Sequence, residues 1–152
     1  MPKTYVGNTS NIGKGLFAKK NIRKDEVIFI VKGKIKKGPY SRKFFKTGPN
    51  WLSIEEKKWL SPSNNCPWRY INHSCNPNVG LKGKVTVVAM KNIKESEQLM
   101  IDYSITENDP YWKMKCMCGQ KNCRKIIRSY RYLSPKLKNK YKKYIPNFLK
   151  TI

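Results

Sequence analysis

Three cysteines fall within eight residues as Cys116-x-Cys118-x4-Cys123. They stand too close together for a disulfide scaffold, and five cysteines cannot all pair. Soft thiolates so spaced suit one tetrahedral metal such as zinc, although three ligands are one short of a closed structural site. A second constellation is Arg69-Tyr70-Ile71-Asn72-His73-Ser74-Cys75-Asn76-Pro77-Asn78, which holds the single histidine, three asparagines that can turn the backbone and a proline that pins it. On composition alone His73 reads as a structural histidine. A nucleophilic Cys75–His73 pair would have poor geometry, because two residues apart on one segment is a bad spacing for a base-to-thiol hydrogen bond. Gly13-Lys14-Gly15 lets backbone approach a ligand without Cβ interference, or simply makes a tight turn. Asp102-Tyr103 closes the apolar run Gln98-Leu99-Met100-Ile101.

Together these segments resemble a known family. Asn72-His73-Ser74-Cys75-Asn76-Pro77-Asn78 resembles the signature of SET-domain protein-lysine methyltransferases. Gly13-Lys14-Gly15-Leu16-Phe17-Ala18 resembles the family's N-terminal Gly-x-Gly segment, and Ile93 to Tyr103 resembles the stretch leading into its catalytic Asp-Tyr. Cys116 to Arg124 resembles its post-SET zinc motif. The likeness runs over about residues 5–128, in the family's order, and four ordered motifs are far more specific than any one of them. Some positions depart from the usual pattern. Asn65-Cys66-Pro67-Trp68 stands where Gly-Asn is usual, Ser96 where glycine is common, Gln98 where a second glutamate is common, and Lys125 where glycine follows the arginine. None of these removes a group with a catalytic role.

The resemblance implies a mainly β (α+β) fold of small sheets around a pseudoknot, and protein-lysine methylation with S-adenosylmethionine. It implies cofactor contacts from Gly13, Lys14, Gly15, Leu16, Arg69, Asn72, His73 and Tyr103, and catalytic roles for Tyr103 and Tyr70. It also makes Cys75 the fourth ligand of a Zn2+ ion held with Cys116, Cys118 and Cys123, leaving Cys66 a free thiol. Ile101 falls at the product-state position. Having no hydroxyl there, it implies di- or trimethylation rather than strict monomethylation. The chemistry is an in-line displacement at a sulfonium methyl by a neutral amine, so it needs a lysine deprotonated against an ordinary pKa of about 10.4. It also needs collinear alignment, which supplies on the order of 7–11 kcal/mol in favourable cases. A narrow apolar channel lowers the amine's pKa, and oxygen acceptors complement the partly positive methyl.

Periodicity supplies the elements that position these residues. Val27-Ile28-Phe29-Ile30-Val31 reads as a buried strand, with Gly33-Lys34-Ile35 continuing its sheet and Gly38-Pro39 ending it. Val85–Met90 and Gln98–Ile101 read as two more strands. Ser53-Ile54-Glu55-Glu56 has the form of a capping box and predicts a helix over 54–60, stopped by Ser61-Pro62. In the tail, Ser134-Pro135 as cap and first turn, with Leu137, Tyr141, Tyr144 and Ile145 at helical spacing, predicts a helix over about 134–146. The expected organisation is a SET domain over 1–112, a post-SET zinc segment over 113–128 and a basic helical extension over 129–152.

At 152 residues with 39% apolar content, the chain has the size of one domain with a modest core. No run of 18 apolar residues exists and the N-terminus has no continuous apolar stretch. The expectation is an intracellular protein, cytoplasmic or nuclear, made in a reducing compartment, with secretion as an effector the alternative. The formal net charge is +24. Residues 1–50 carry 13 lysines or arginines against 2 acids, 111–152 carry 13 against none, and 51–110 is balanced at 7 against 7. Basic ends around a neutral centre suit nonspecific contact with nucleic acid. The same lysines are equally what an AT-rich genome would write, since Lys outnumbers Arg 27 to 6. The partners expected are a lysine-bearing protein of histone-like or ribosomal type, with no membrane. Glu107 and Asp109, between Tyr103 and the cysteines, are expected to line the substrate groove. Two other classes compete with the enzyme. One is a basic zinc-containing nucleic-acid binder using Tyr130, Tyr132, Tyr141 and Tyr144 against bases. The other is a SET-like adaptor without activity.

Overall fold

The structure, a computed structural model, describes residues 1–40 and 50–152. Arg42, Lys43 and Lys46 of the basic N-terminal stretch lie outside the described residues. Short strands dominate. β1 (Thr4–Asn8) and β2 (Lys14–Ala18) form an antiparallel hairpin running from Thr4↔Ala18 to Asn8↔Lys14. β3 (Val27–Ile30) begins a three-stranded antiparallel sheet completed by β8 (Val79–Lys82) and β9 (Thr86–Ala89), in the order β3-β9-β8. Val87, Val88 and Ala89 on the central strand are buried. β3 is an edge strand, and its run is not solidly buried as the composition suggests: Val27 and Ile30 face solvent while Ile28 packs inside. One face of an antiparallel sheet can stay wet, and an edge strand leaves room for it.

β4 (Gly33–Lys37), β5 (Leu52–Glu55) and β6 (Lys58–Pro62) form a second antiparallel sheet in the order β4-β6-β5. Gly33-Lys34-Ile35 thus pairs with β6 and does not continue the sheet of β3 as expected. Here the helix expected over 54–60 is overturned. Leu52, Ser53 and Glu55 pair with Leu60, Trp59 and Lys58 across a two-residue turn at Glu56-Lys57, where Lys57 takes φ 55°. Ser53 caps nothing. Its buried hydroxyl donates to Glu107 Oε1 at 2.8 Å, and Trp59 Nε1–H donates to the same carboxylate at 3.1 Å. A local capping pattern worth about 1 kcal/mol has lost to burial of Leu52, Ile54, Trp59 and Leu60 on one body.

Three smaller pieces complete the fold. β7 (Asn72–His73) and β10 (Met100–Ile101) form a two-residue parallel pair, and β11 (Lys113–Lys115) and β12 (Ile126–Arg128) an antiparallel one. α1 covers Pro135–Tyr141, with the Ser134 hydroxyl accepting the Leu137 N–H. It stops short of the predicted end at 146 because Tyr144 turns inward. The Tyr144 carbonyl accepts the Leu81 N–H at 2.8 Å and its hydroxyl donates to Asp25 at 2.6 Å. Gly80 makes this docking possible: a Cβ there would stand 2.6 Å from Tyr144 Cβ. Leu133, Tyr141, Ile145 and Leu149 share one core with Leu16, Val79 and Ile101. Among the described residues no helix is long and apolar enough to cross a membrane.

Candidate active site

The β7–β10 pair brings residues 72–78 alongside 97–103, two segments distant in sequence. Asn78 fastens them together. Its Nδ2 donates to the Gln98 carbonyl at 2.8 Å and to Glu97 Oε1 at 3.1 Å, and its Oδ1 accepts the Met100 N–H at 2.8 Å. The Ser74 N–H reaches the Ile101 carbonyl at 3.0 Å. On the other side β2 holds the same strip, its Leu16 carbonyl accepting the Leu99 N–H. The crossing thus ties β2, the signature segment and the Asp-Tyr segment into one unit.

A cavity of about 590 Å³ opens beside the crossing. Its walls are Asn11 and Ile12 from the β1–β2 loop, Asn72 to Ser74, Glu97, Gln98 and Met100, Tyr103, and Met114 to Cys118. Of the residues singled out in the sequence for a cofactor, Asn72, His73 and Tyr103 line it. Lys14 acts one layer back, its carbonyl accepting Asn72 Nδ2–H at 3.0 Å. Leu16 is buried in the core, and Gly15 packs so closely on Gln98 that a Cβ would meet its Nε2 at 2.6 Å. Arg69 spends its guanidinium on the carbonyls of Pro62 and Ser63. Tyr70 packs on the core from the 3-10 turn Pro67–Tyr70.

Tyr103 is fixed at both ends. Its N–H donates to His73 Nδ1 at 3.0 Å and its hydroxyl donates to the Ile71 carbonyl at 2.7 Å. Burial pushes its phenol up to about 12, so it is a protonated donor throughout the neutral range. Burial also holds His73 down to about 4. A neutral ring whose Nδ1 accepts a hydrogen bond carries its proton on Nε2, which faces Cys75 Sγ at 3.4 Å. The two-residue spacing does bring imidazole and sulfur together, against the expectation from spacing, with the ring as donor rather than base.

The four sulfurs of Cys75, Cys116, Cys118 and Cys123 lie within 4.8 Å of one another. Cys75 and Cys116 are 3.8 Å apart, close to the edge of a tetrahedron built on zinc–sulfur bonds of about 2.3 Å. Burial pushes the Cys75 and Cys116 thiols up, Cys116 to about 12. A bound cation reverses that cost by holding the thiolates directly. The donor set therefore fits Zn2+, and Cys66, buried in the main core, takes no part in it.

Asp102, next to Tyr103 in sequence, is fully buried. Arg124 clamps it in a fork at 2.8 and 2.6 Å, the Ser104 N–H donates at 3.0 Å, and the Tyr141 hydroxyl donates from α1 at 3.0 Å. Arg124 also points its backbone N–H at Cys75 Sγ. Glu107 and Asp109 are both buried and do not line a groove. Glu107 serves Ser53, Trp59 and the N–H groups of Asn108 and Asp109, because a carboxylate can enter the interior only with such donors. The tyrosines considered for base stacking are mostly unavailable as well. Tyr130, Tyr141 and Tyr144 are buried, and exposed Tyr132 already carries the Arg128 guanidinium 3.5 Å from its ring centre.

A family model described as SET domain matches residues 13–104, more than half of the chain. The chain belongs to the SET-domain family. Among relatives, histone-lysine N-methyltransferase trr of Drosophila melanogaster is 30% identical over 137 residues, covering 80% of this chain and 6% of that protein. The H3 lysine-36 specific histone-lysine N-methyltransferase of Emericella nidulans is 28% identical over 139 residues, covering 80% and 14%. The chain thus spans only a small part of the length of the relatives it matches. Among solved structures, KRYPTONITE in complex with mCHG DNA and SAH superposes with a TM-score of 0.63 at 19% identity, over 81% of this chain and 28% of that one. An autoinhibited PRC2 bound to S-adenosylmethionine gives 0.55 at 20%, over 69% and 15%. These likenesses establish the SET fold. Three of the four clustered cysteines, Arg124 and Tyr141 all lie after the matched SET segment. The cysteine spacing was visible in the sequence. The roles of Arg124 and Tyr141 follow only from the need of a buried Asp102 for donors.

Proposed function

We propose that the chain is an S-adenosylmethionine-dependent protein-lysine N-methyltransferase acting on histone-like or ribosomal basic segments. The observation that carries this reading is Tyr103, which lines the cavity and commits its hydroxyl proton to the Ile71 carbonyl at 2.7 Å. The oxygen lone pairs are thereby left to accept from a lysine amine and orient it. Bound S-adenosylmethionine supplies the sulfonium methyl. Asn72, with its amide nitrogen spent on Lys14, keeps Oδ1 to accept from the ammonium of the cofactor's amino-acid moiety. His73 contributes backbone and a neutral ring that fixes Tyr103. Gly13, Gly15, Leu16 and Arg69 shape the surroundings, and Tyr70 supports the 3-10 turn behind the signature. Zn2+ on Cys75, Cys116, Cys118 and Cys123 would hold the 113–128 loop as one wall of the cavity, and 129–152 forms the basic extension. Ile101, buried behind the cavity lining, has no hydroxyl to anchor a water against the amine, which favours di- or trimethylation. The basic segments offer contacts to the nucleic acid of the same particle.

The test is methyl transfer from labelled S-adenosylmethionine to mixed histones and ribosomal proteins, with products read by mass spectrometry. Tyr103→Phe should lower turnover about 100-fold, the scale of a positioned proton-handling group, while cofactor binding by calorimetry survives. Near-normal turnover in that variant overturns the role of Tyr103. A product stopped at one methyl overturns that of Ile101.

A further inference from the structure

A second cavity, of about 540 Å³, opens where the tail docks on β8. Three lysines from three separate segments line it: Lys82 at the end of β8, Lys143 just after α1, and Lys150 in the 3-10 turn Asn147–Thr151. Among the described residues none of the three has an ion-pair partner, whereas Lys3, Lys58 and Lys84 elsewhere do. The one acid in the wall, Asp25, accepts the Tyr144 hydroxyl at 2.6 Å. The cavity's walls are also locked to each other. Leu81 N–H bonds the Tyr144 carbonyl and Asn147 N–H bonds the Gly83 carbonyl, both at 2.8 Å. The backbone under Lys82 is thus fastened to the backbone that carries Lys143 and Lys150. The lysines along α1 differ in kind, since Lys138 and Lys140 lie over the rings of Tyr130 and Tyr141.

We propose that this cavity seats the phosphate backbone of a nucleic acid. Three unpaired ammonium groups held around one concavity repel one another, and that repulsion is relieved when an anion enters. Lysine binds phosphate as a point charge and reads no base. Tyr144, the one aromatic in the wall, is itself buried with its hydroxyl taken, so no ring is offered for stacking. Val88 is the one aliphatic residue in the wall and is buried, so nothing there would anchor a bilayer. The contact is therefore electrostatic and independent of sequence, and it lies apart from the residues that line the methyl-transfer cavity. It rests on the reading that nucleic acid is a partner and on none of the catalytic assignments.

The experiment is fluorescence anisotropy of a labelled 20-base-pair DNA duplex with the full chain, between roughly 50 and 200 mM salt, where phosphate contacts weaken by orders of magnitude. The triple variant K82Q/K143Q/K150Q is compared with the charge-matched K34Q/K36Q/K37Q on exposed β4. The cavity variant should lose at least ten-fold more affinity than the control. Its log–log salt slope should also fall by about 2–3, because each phosphate contact adds roughly 0.9. Turnover on free peptide should be the same in both. Equal losses in the two variants would mean diffuse charge and overturn the site. No binding by the unmodified chain at 50 mM salt would overturn the nucleic-acid reading itself. Polyglutamate bound as tightly as DNA, with the same dependence on the three lysines, would replace phosphate with an acidic peptide.

Discussion

Tyr141→Phe removes one oxygen and leaves everything else in place, which makes it a clean probe of the Asp102 node. The ring is fully buried, so phenylalanine keeps its packing. The lost hydroxyl is a donor to a carboxylate from which solvent is excluded, and burial followed by the nearby Asp102 charge pushes the phenol up, so it stays a donor at any working pH. A hydrogen bond to a charged group contributes about 1.5–3 kcal/mol. For a chain of this length each kcal/mol moves the midpoint by about 2–4 °C, so a fall of roughly 3–12 °C is expected in the zinc-loaded protein. Urea denaturation should show a lower midpoint at constant slope. Arg124→Met should cost more, about 3–5 kcal/mol, because it strands a buried charge. The double variant should depart from additivity by at least about 0.5 kcal/mol, since both donors share one acceptor. A Tyr141→Phe protein within about 0.5 kcal/mol of the unmodified chain would refute the view that α1 holds Asp102 in place.

Purified protein should carry about one zinc, by metal analysis. Cys66→Ala should leave that content unchanged and Cys75→Ala should lower it, whereas equal loss from both would put the fourth ligand elsewhere. Tyr103 stays protonated to about 12 against about 10 for a free phenol. The folded state therefore holds a proton that the unfolded chain releases. Its contribution to stability is complete below about pH 10 and is lost as pH rises toward 12. Turnover should climb with substrate deprotonation and show no phenol-linked fall below that range, and a falling limb near pH 10 would contradict the burial argument. Gly80→Ala places a methyl 2.6 Å from Tyr144 Cβ and 3.0 Å from its carbonyl oxygen. Overpacking of this kind costs about 1–3 kcal/mol, measurable by denaturation, and an unchanged midpoint would mean that the tail docks loosely.

What the sequence made legible was chiefly local. The Ser134 cap, the apolar run that became β9, and the metal-ligand spacing of the cysteines each depend on a few neighbouring residues. The helix expected over 54–60 failed because the partners that decide the matter, Leu60 across the hairpin and Glu107 beneath Ser53, are distant or reversed in their pull. The expectation of Glu107 and Asp109 at the substrate groove failed for the same reason. Nothing near them in sequence announces that Trp59, Ser53 and backbone N–H groups will satisfy a buried carboxylate. Of the residues that the resemblance singled out, Asn72, His73 and Tyr103 line one cavity, although 30 positions separate His73 from Tyr103. Arg124, however, sat beside the cysteines with no sign of its bond to Asp102. Long-range ion pairing has no periodicity to read.

The parallel pairing of β7 with β10 also sets an order of events at birth. Asn72 and His73 emerge from a ribosome early, yet they find their strand partner only once Met100 and Ile101 follow. Asp102 then waits for Arg124 and Tyr141. At synthesis rates of about 5–20 residues per second, the 38 positions from Tyr103 to Tyr141 take roughly 2–8 s. During that interval a carboxylate destined for the interior has neither its guanidinium nor its phenol, and the cysteine cluster is open. A nascent chain in this state exposes apolar strands with no completed site, so chaperone capture or metal supply during those seconds bears on yield. Contacts so distant along the chain also slow the final search, because loop closure must come before they form.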